Sequence, residues 1–169
     1  MHKPTRFPHR NARAGFTLVE LGAVVVIISL LAMMALQAFK RLSVRTRTTA
    51  VLNNFRVLAG AMNFYDGQNA AWPPTTAAGV MPAALQGYVA SANFTSPSPI
   101  GGYYTWATNS LQGGSTYQAV IIISSANGSN ITTDQGQLLD IDKRGDDGNL
   151  TTGNIFLGAS NYLVYVVAK

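Results

Sequence analysis

The sequence predicts an α+β fold in which one long N-terminal α-helix, membrane-spanning over its first half, packs against a small antiparallel β-sheet. Three observations lead there. Leu21 to Phe39 is a run of 19 residues whose only polar side chains are Ser29 and Gln37, and as a helix it covers roughly 30 Å, one bilayer core. Beyond it, Val51, Phe55, Leu58, Met62 and Tyr65 recur at intervals of four and three, the apolar stripe of a one-sided helix. The C-terminal part then alternates β-branched and aromatic runs with Gly- and Asn-containing breaks, which is the pattern of hairpins.

Taken in order, Gly22 is the one Gly or Pro between Thr17 and Ala59. The spacing therefore predicts a single helix from about Thr17 to Asp66, ending near Gly67. Residues 68–101, rich in Pro, Ala, Ser and Thr, read as a loop wrapping this spine, with Trp72 and Tyr88 as anchors and a short helical turn near Pro82 to Gly87. Strands are expected at Tyr103–Ala107 and Tyr117–Ile123, joined across Asn109 to Ser115, and at Asn154–Leu157 and Tyr162–Val167, joined by Gly158 to Asn161. Thr132-Thr133-Asp134 can cap a short helix through Ile141, with Gly145 as its stop and Asp146-Asp147-Gly148-Asn149 as a tight turn. The expected organisation is a leader at 1–15, a membrane helix at 16–39, the soluble half of that helix at 40–67, and a globular domain at 68–169.

Glu20 stands at the start of the apolar run. A carboxylate there costs on the order of 3 kcal/mol on insertion, so it reads as functional and in search of a cation. No Lys or Arg lies among the following 19 residues, so the positive charge must come from outside the span. The whole chain carries a formal charge of +5, but four of its twelve basic residues, Lys3, Arg6, Arg10 and Arg13, precede Gly15. Without residues 1–15, eight basic residues face seven acidic ones, and a nucleic-acid partner loses its electrostatic basis. There is no Cys, and both histidines, His2 and His9, lie in the same leader. Thiol, disulfide and His-based chemistry are thereby excluded downstream of it, no catalytic residue is expected, and an enzyme is disfavoured. Lys40, Arg41, Arg45 and Arg47, just past the apolar run, are expected to reach lipid phosphates.

Gly15-Phe16-Thr17-Leu18-Val19-Glu20, after a short basic leader and before a long apolar helix, resembles the class III signal of type IV prepilins and type II secretion pseudopilins. The resemblance implies a pilin-like fold. It implies cleavage between Gly15 and Phe16 by a prepilin peptidase, methylation of Phe16 as the new N-terminus, and Glu20 as the assembly carboxylate that meets a neighbour's α-amine. It also implies a single-pass protein of the bacterial inner membrane with a periplasmic domain. Its partners would be further copies of itself, other pseudopilins, the peptidase and an assembly platform. The function expected is a structural subunit of a type II secretion pseudopilus, with a type IV pilus subunit as the alternative and a membrane-anchored binding module behind both. Missing cysteines and a small, weakly charged domain favour secretion. Many members carry Pro where this chain has Gln37, so a straighter helix is expected here.

Asp140, Asp142, Asp146, Asp147 and Asn149 supply hard oxygen donors suited to calcium, and secretion pseudopilins hold calcium in a comparable loop. The spacing does not match an EF-hand. A solvated helix stop and Asx turn accounts for the same residues, so structural calcium is one of two readings, and no other cofactor is expected.

Overall fold

The computed structural model describes residues 15–169, so residues 1–14, which hold most of the expected leader, lie outside the described residues. Contacts divide the chain into two units meeting between Lys40 and Arg41. Helix α1, Leu18–Asn69, belongs to both and is α-helical throughout, Gln37 and Gly67 included.

In the first unit, α1 is exposed on every side. Its most apolar window has a mean hydropathy of 2.5 with none of it buried, so it is long and apolar enough to cross a membrane. Apolar side chains all round a helix need lipid or other helices as their environment.

From Arg41 on, the same helix becomes one-sided. Thr48, Val51, Leu52, Phe55, Leu58, Ala59 and Met62 are buried, and all of them but Thr48 pack on one face of a four-stranded antiparallel sheet in the order β1-β2-β4-β3. The strands are β1 Tyr103–Gln112, β2 Ser115–Ser124, β3 Ile155–Leu157 and β4 Leu163–Ala168. Alternation places Tyr104, Trp106, Ile121, Ile123 and Leu163 against α1, while Val120, Phe156, Val164 and Val166 form a second apolar cluster. Phe55 is central, stacked on Tyr165 at 4.8 Å and edge-on to Tyr104 at 6.2 Å.

The β1–β2 hairpin is longer than the sequence suggests. The Asn109–Ser115 stretch expected as a connection is mostly strand, closed by Gly113 and Gly114 at φ 55° and 86°. Two successive positive φ values make a two-residue turn that follows strand twist, so the strands can run to its edge.

Both sheet edges are covered over part of their length, which shortens the templates for stray strand pairing. At β1, Thr76 N donates to Trp106 O (3.1 Å) and Gly79 N to Tyr104 O (2.9 Å). At β3, Leu157 N donates to Leu150 O (2.8 Å). The wrapping loop holds the expected helical turn at Ala83–Leu85 and a second short helix, α2, Ala92–Thr95. Trp72 packs on buried Trp106, whose Nε1 donates to Pro73 O at 2.8 Å. Tyr88 anchors the loop to α1 as expected, but at the surface and not in the core. It is 48% exposed, lies on exposed Phe64, and reaches Gln68 through its hydroxyl. Leu85, Val89 and Phe94 supply the buried contacts instead.

Helix α3, Gln135–Gly145, starts at Asp134, whose Oδ1 accepts from Gly136 N and Gln137 N. Gln137 Nε2 donates to Thr48 Oγ1 (2.8 Å) and Val44 O (3.2 Å), which fastens α3 to α1. Gly145 is still helical and serves close approach: a Cβ there would stand 2.6 Å from a Leu52 methyl and 2.5 Å from one of Ile155. Phe55→Ala should destabilise the chain by about 3–5 kcal/mol, measurable by urea denaturation in detergent with tryptophan fluorescence as the probe; a loss below about 1 kcal/mol would remove Phe55 from the centre of the core.

Candidate functional site

Two groups of residues carry chemistry. The first is the start of α1. Gly15 and Phe16 are non-helical and exposed, with open space around Gly15. Thr17 and Glu20 form a reciprocal cap: Thr17 N and Thr17 Oγ1 donate to Glu20 Oε2 at 2.8 and 2.7 Å, and Glu20 N donates to Thr17 Oγ1 at 3.2 Å. This capping box satisfies helix-end donors that would otherwise be orphaned. It also ends the helix just after the Gly15–Phe16 bond, leaving that peptide outside it. Thr17 was not singled out from the residues alone, although the Thr-x-x-Glu spacing ahead of the apolar run is a readable signal for it.

The second group is the turn after α3. Asp142, Asp146 and Asp147 bring carboxylate oxygens within 4.8 Å of one another. Asp146, expected as a turn residue, fastens β3: its carboxylate accepts from Asn154 N, Asn154 Nδ2 (3.2 Å) and Ile155 N (3.0 Å). Gly153, at φ 83°, makes room for it, since a Cβ there would collide with the Asp146 carboxylate. Asp147 accepts from Asn149 N (2.8 Å) and Thr152 Oγ1 (2.7 Å), and Asn149 Oδ1 accepts from Thr151 N and Oγ1.

Asp142 is different. It is 0% exposed, and neither carboxylate oxygen has a hydrogen-bond partner. Burial, then the charges of Asp147 and Asp146, push its carboxyl up to about 6, against a weak opposing pull from the Gly148 N–H, which lies short of hydrogen-bonding geometry. An orphaned buried carboxylate beside two others suits a hard cation.

Asp140 does not join this cluster. Thr48 Oγ1 donates to it at 2.7 Å and Arg144 Nε at 3.1 Å, so it faces α1 and its own helix. Its carboxyl is lowered: burial alone would raise it, and the Thr48 and Arg144 bonds with the Arg144 and Arg45 charges outweigh that. The sequence set of five candidate donors therefore narrows to three carboxylates. Asn149 sits in the same turn with its side-chain oxygen engaged by Thr151.

No family model matches the chain. The fimbrial protein EcpC of Eikenella corrodens is 29% identical to it over 96 residues, 57% of this chain and 63% of that protein. The chain thus matches less than two thirds of that relative's length. Among solved structures, the major type IV pilin PilA1 from Clostridium difficile is similar at a TM-score of 0.53 and 16% identity, over 75% of this chain and 97% of that one. At that identity the likeness is one of fold: the chain has the long N-terminal helix and small antiparallel sheet of a type IV pilin.

Proposed function

We propose that the chain is a structural filament subunit, cut between Gly15 and Phe16 by a prepilin peptidase, methylated at Phe16, and polymerised through its apolar helix. The observation that carries this reading is a helix exposed and apolar on all sides, headed by the carboxylate of Glu20. Such a helix is stable in lipid or in a bundle of its copies, and transfer from one to the other needs little change in apolar burial. Cleavage creates an α-amine at Phe16. Its pairing with Glu20 of a neighbouring copy neutralises both charges where solvent is excluded, and so fixes axial register. The pilin fold and the fimbrial relative support self-association.

Within this class we assign the chain to a type II secretion pseudopilus, held in the inner membrane with its domain periplasmic until assembly. The missing cysteines and the weak charge support that assignment. The names of the two similar proteins favour the second reading, a type IV pilus subunit. Deleting the gene should abolish export of folded proteins while leaving surface pili and twitching unchanged; the reverse pattern would select the pilus.

We further propose that Asp142, Asp146 and Asp147 hold a structural calcium ion, which would neutralise the buried Asp142 charge and tie α3 to β3. Other partners of the reading, namely further pseudopilins, the peptidase and an inner-membrane platform, rest on the signal motif.

The membrane-extracted protein should begin at methylated Phe16 by intact mass. Glu20→Gln should be trimmed normally yet give at least tenfold fewer filaments; normal yield would remove the role of Glu20. The acidic turn makes a separate prediction. With calcium chelated, an Asp142 carboxyl raised to about 6 means that the folded state binds its proton more tightly than the unfolded chain does. Stability should therefore fall as pH rises from about 4 to 7, by on the order of 3 kcal/mol, and calcium should restore it at pH 7. Asp142→Asn should flatten the profile and abolish the calcium effect on Tm; an unchanged Tm on chelation of the parent protein would leave the turn metal-free.

A further inference from the structure

Past the end of α1, three large hydrophobic side chains stand exposed among the described residues: Val80, Tyr88 and Leu111. Tyr88 already lies on Phe64 of α1. The other two mark separate places on the domain. Val80, 51% exposed, lines an open hollow of about 670 Å³ in the wrapping loop, with Met81 and Val89 as further apolar walls and Gln86, Ser91 and Thr95 as polar ones. Leu111, 68% exposed, stands beside the tip of the β1–β2 hairpin. That tip is slim. Gly113 and Gly114 bring no side chains to it, and Gln112 is drawn back, its Nε2 donating to Ser110 Oγ at 2.8 Å and its Oε1 accepting from the Tyr162 hydroxyl at 2.7 Å. Leu111 is therefore the apolar group that projects there.

Hollow and tip suit one another. Both fall between Asp66 and Asp134, where the chain has no charged side chain, so their meeting desolvates no ion. They do not meet within one chain. Gly79 N donates to Tyr104 O at 2.9 Å, which ties the hollow to the start of β1. Leu111 comes seven residues after Tyr104 in that strand, roughly 23 Å away at the rise of an extended chain.

We propose that the tip of the β1–β2 hairpin, with Leu111 as its knob, seats in the hollow lined by Val80, Met81 and Val89 of a second copy. This rests on the filament reading above. A knob and a hollow at different places on one surface make a heterologous contact, which repeats head to tail. One side chain and a glycine turn cover far less than the ~800 Å² per partner of a stable complex. The contact thus forms between copies already gathered by their helices, where the effective concentration is high.

The chain has no cysteine, so introduced ones report the contact without background. In the full chain, in a host that processes it, Val80→Cys combined with Leu111→Cys should give a ladder of disulfide-linked multimers when sheared filaments are oxidised, while each single variant stays monomeric. Leu111→Asp should lower filament yield at least about tenfold at unchanged Tm, and adding Val80→Lys should bring it back to within about threefold of the parent. Parent-level yield from Leu111→Asp, or a loss that Val80→Lys leaves untouched, would overturn the inference. So would a double Cys variant that assembles yet stays monomeric on oxidation, or dimers from Leu111→Cys alone, which would mean that two tips meet each other. The cross-linking outcomes are read on filaments that have formed; absence of filaments from the parent chain would instead sink the underlying reading, and this contact with it.

Discussion

The structure depends on one change of pattern within one helix. Up to Phe39, α1 is apolar on its whole circumference, and from Thr48 it is apolar along a single stripe. No break in the backbone marks the change, because α1 remains α-helical from Leu18 to Asn69. The marker is chemical: Lys40, Arg41, Arg45 and Arg47 fall in the interval. A helix cannot bury a full circumference against one small sheet, so the first part has to find other surroundings. The stripe from Val51 to Met62, by contrast, is matched by a sheet face of Tyr104, Trp106, Ile121 and Ile123. The same backbone element thus serves two environments, and side-chain pattern alone divides them.

The C-terminal region faces a second constraint, since the chain has no cysteine to close it. Strand β3 has only three residues, Ile155–Leu157, and one ladder neighbour, β4. Its outer edge would be left with orphan donors. Asp146 meets that need by accepting from Asn154 N, Asn154 Nδ2 and Ile155 N, with Gly153 clearing the space. The carboxylate draws three donors onto one point, as a covalent link would draw two segments together. The arrangement places three negative charges close together and leaves Asp142 buried without a partner, an electrostatic cost that a cation would offset.

Much of this was legible in the residues. The helix register, all four strands, the Asp134 cap and the acidic turn after α3 each rest on local signals: periodicity, β-branched runs, an Asp followed by helix formers, and an Asp-Asp-Gly turn. What escaped depends on side-chain direction in three dimensions. Asp140 and Asp142 are two residues apart on a helix and so point to different faces, one toward Thr48 and Arg144, the other toward Asp146. Spacing in the chain put both in one donor set. Tyr88 meets α1 as expected, at Phe64 and Gln68, but from the surface, because Leu85, Val89 and Phe94 took the core positions. α2 is four residues long, too short for any period to appear. Thr17 is a different kind of miss. Its Thr-x-x-Glu spacing signals a cap, while the charge of Glu20 signals a cation from a neighbour, and the two signals share one side chain.

Charge is distributed as unevenly as hydrophobicity. Between Asp66 and Asp134 there is no charged side chain, and none between Asp147 and Lys169, so all four strands are free of charged residues. The polar side chains of the sheet and its wrapping loop are Thr, Ser, Asn, Gln and Tyr, whose hydroxyls and amides can hydrogen-bond to water without repelling a like surface. A domain of this kind meets another copy with little electrostatic opposition, and its contacts should be weakly sensitive to salt. From Gly15 on, every charged side chain except Lys169 lies on α1 or around α3, and Thr48 joins the two helices through Asp140 and Gln137. Specific, directional interactions thus belong to the helices, and the sheet contributes shape and hydrogen bonds. In a filament built on that division, register would be set by the few charges near the axis, while the outer surfaces could pack closely without having to match one another charge for charge.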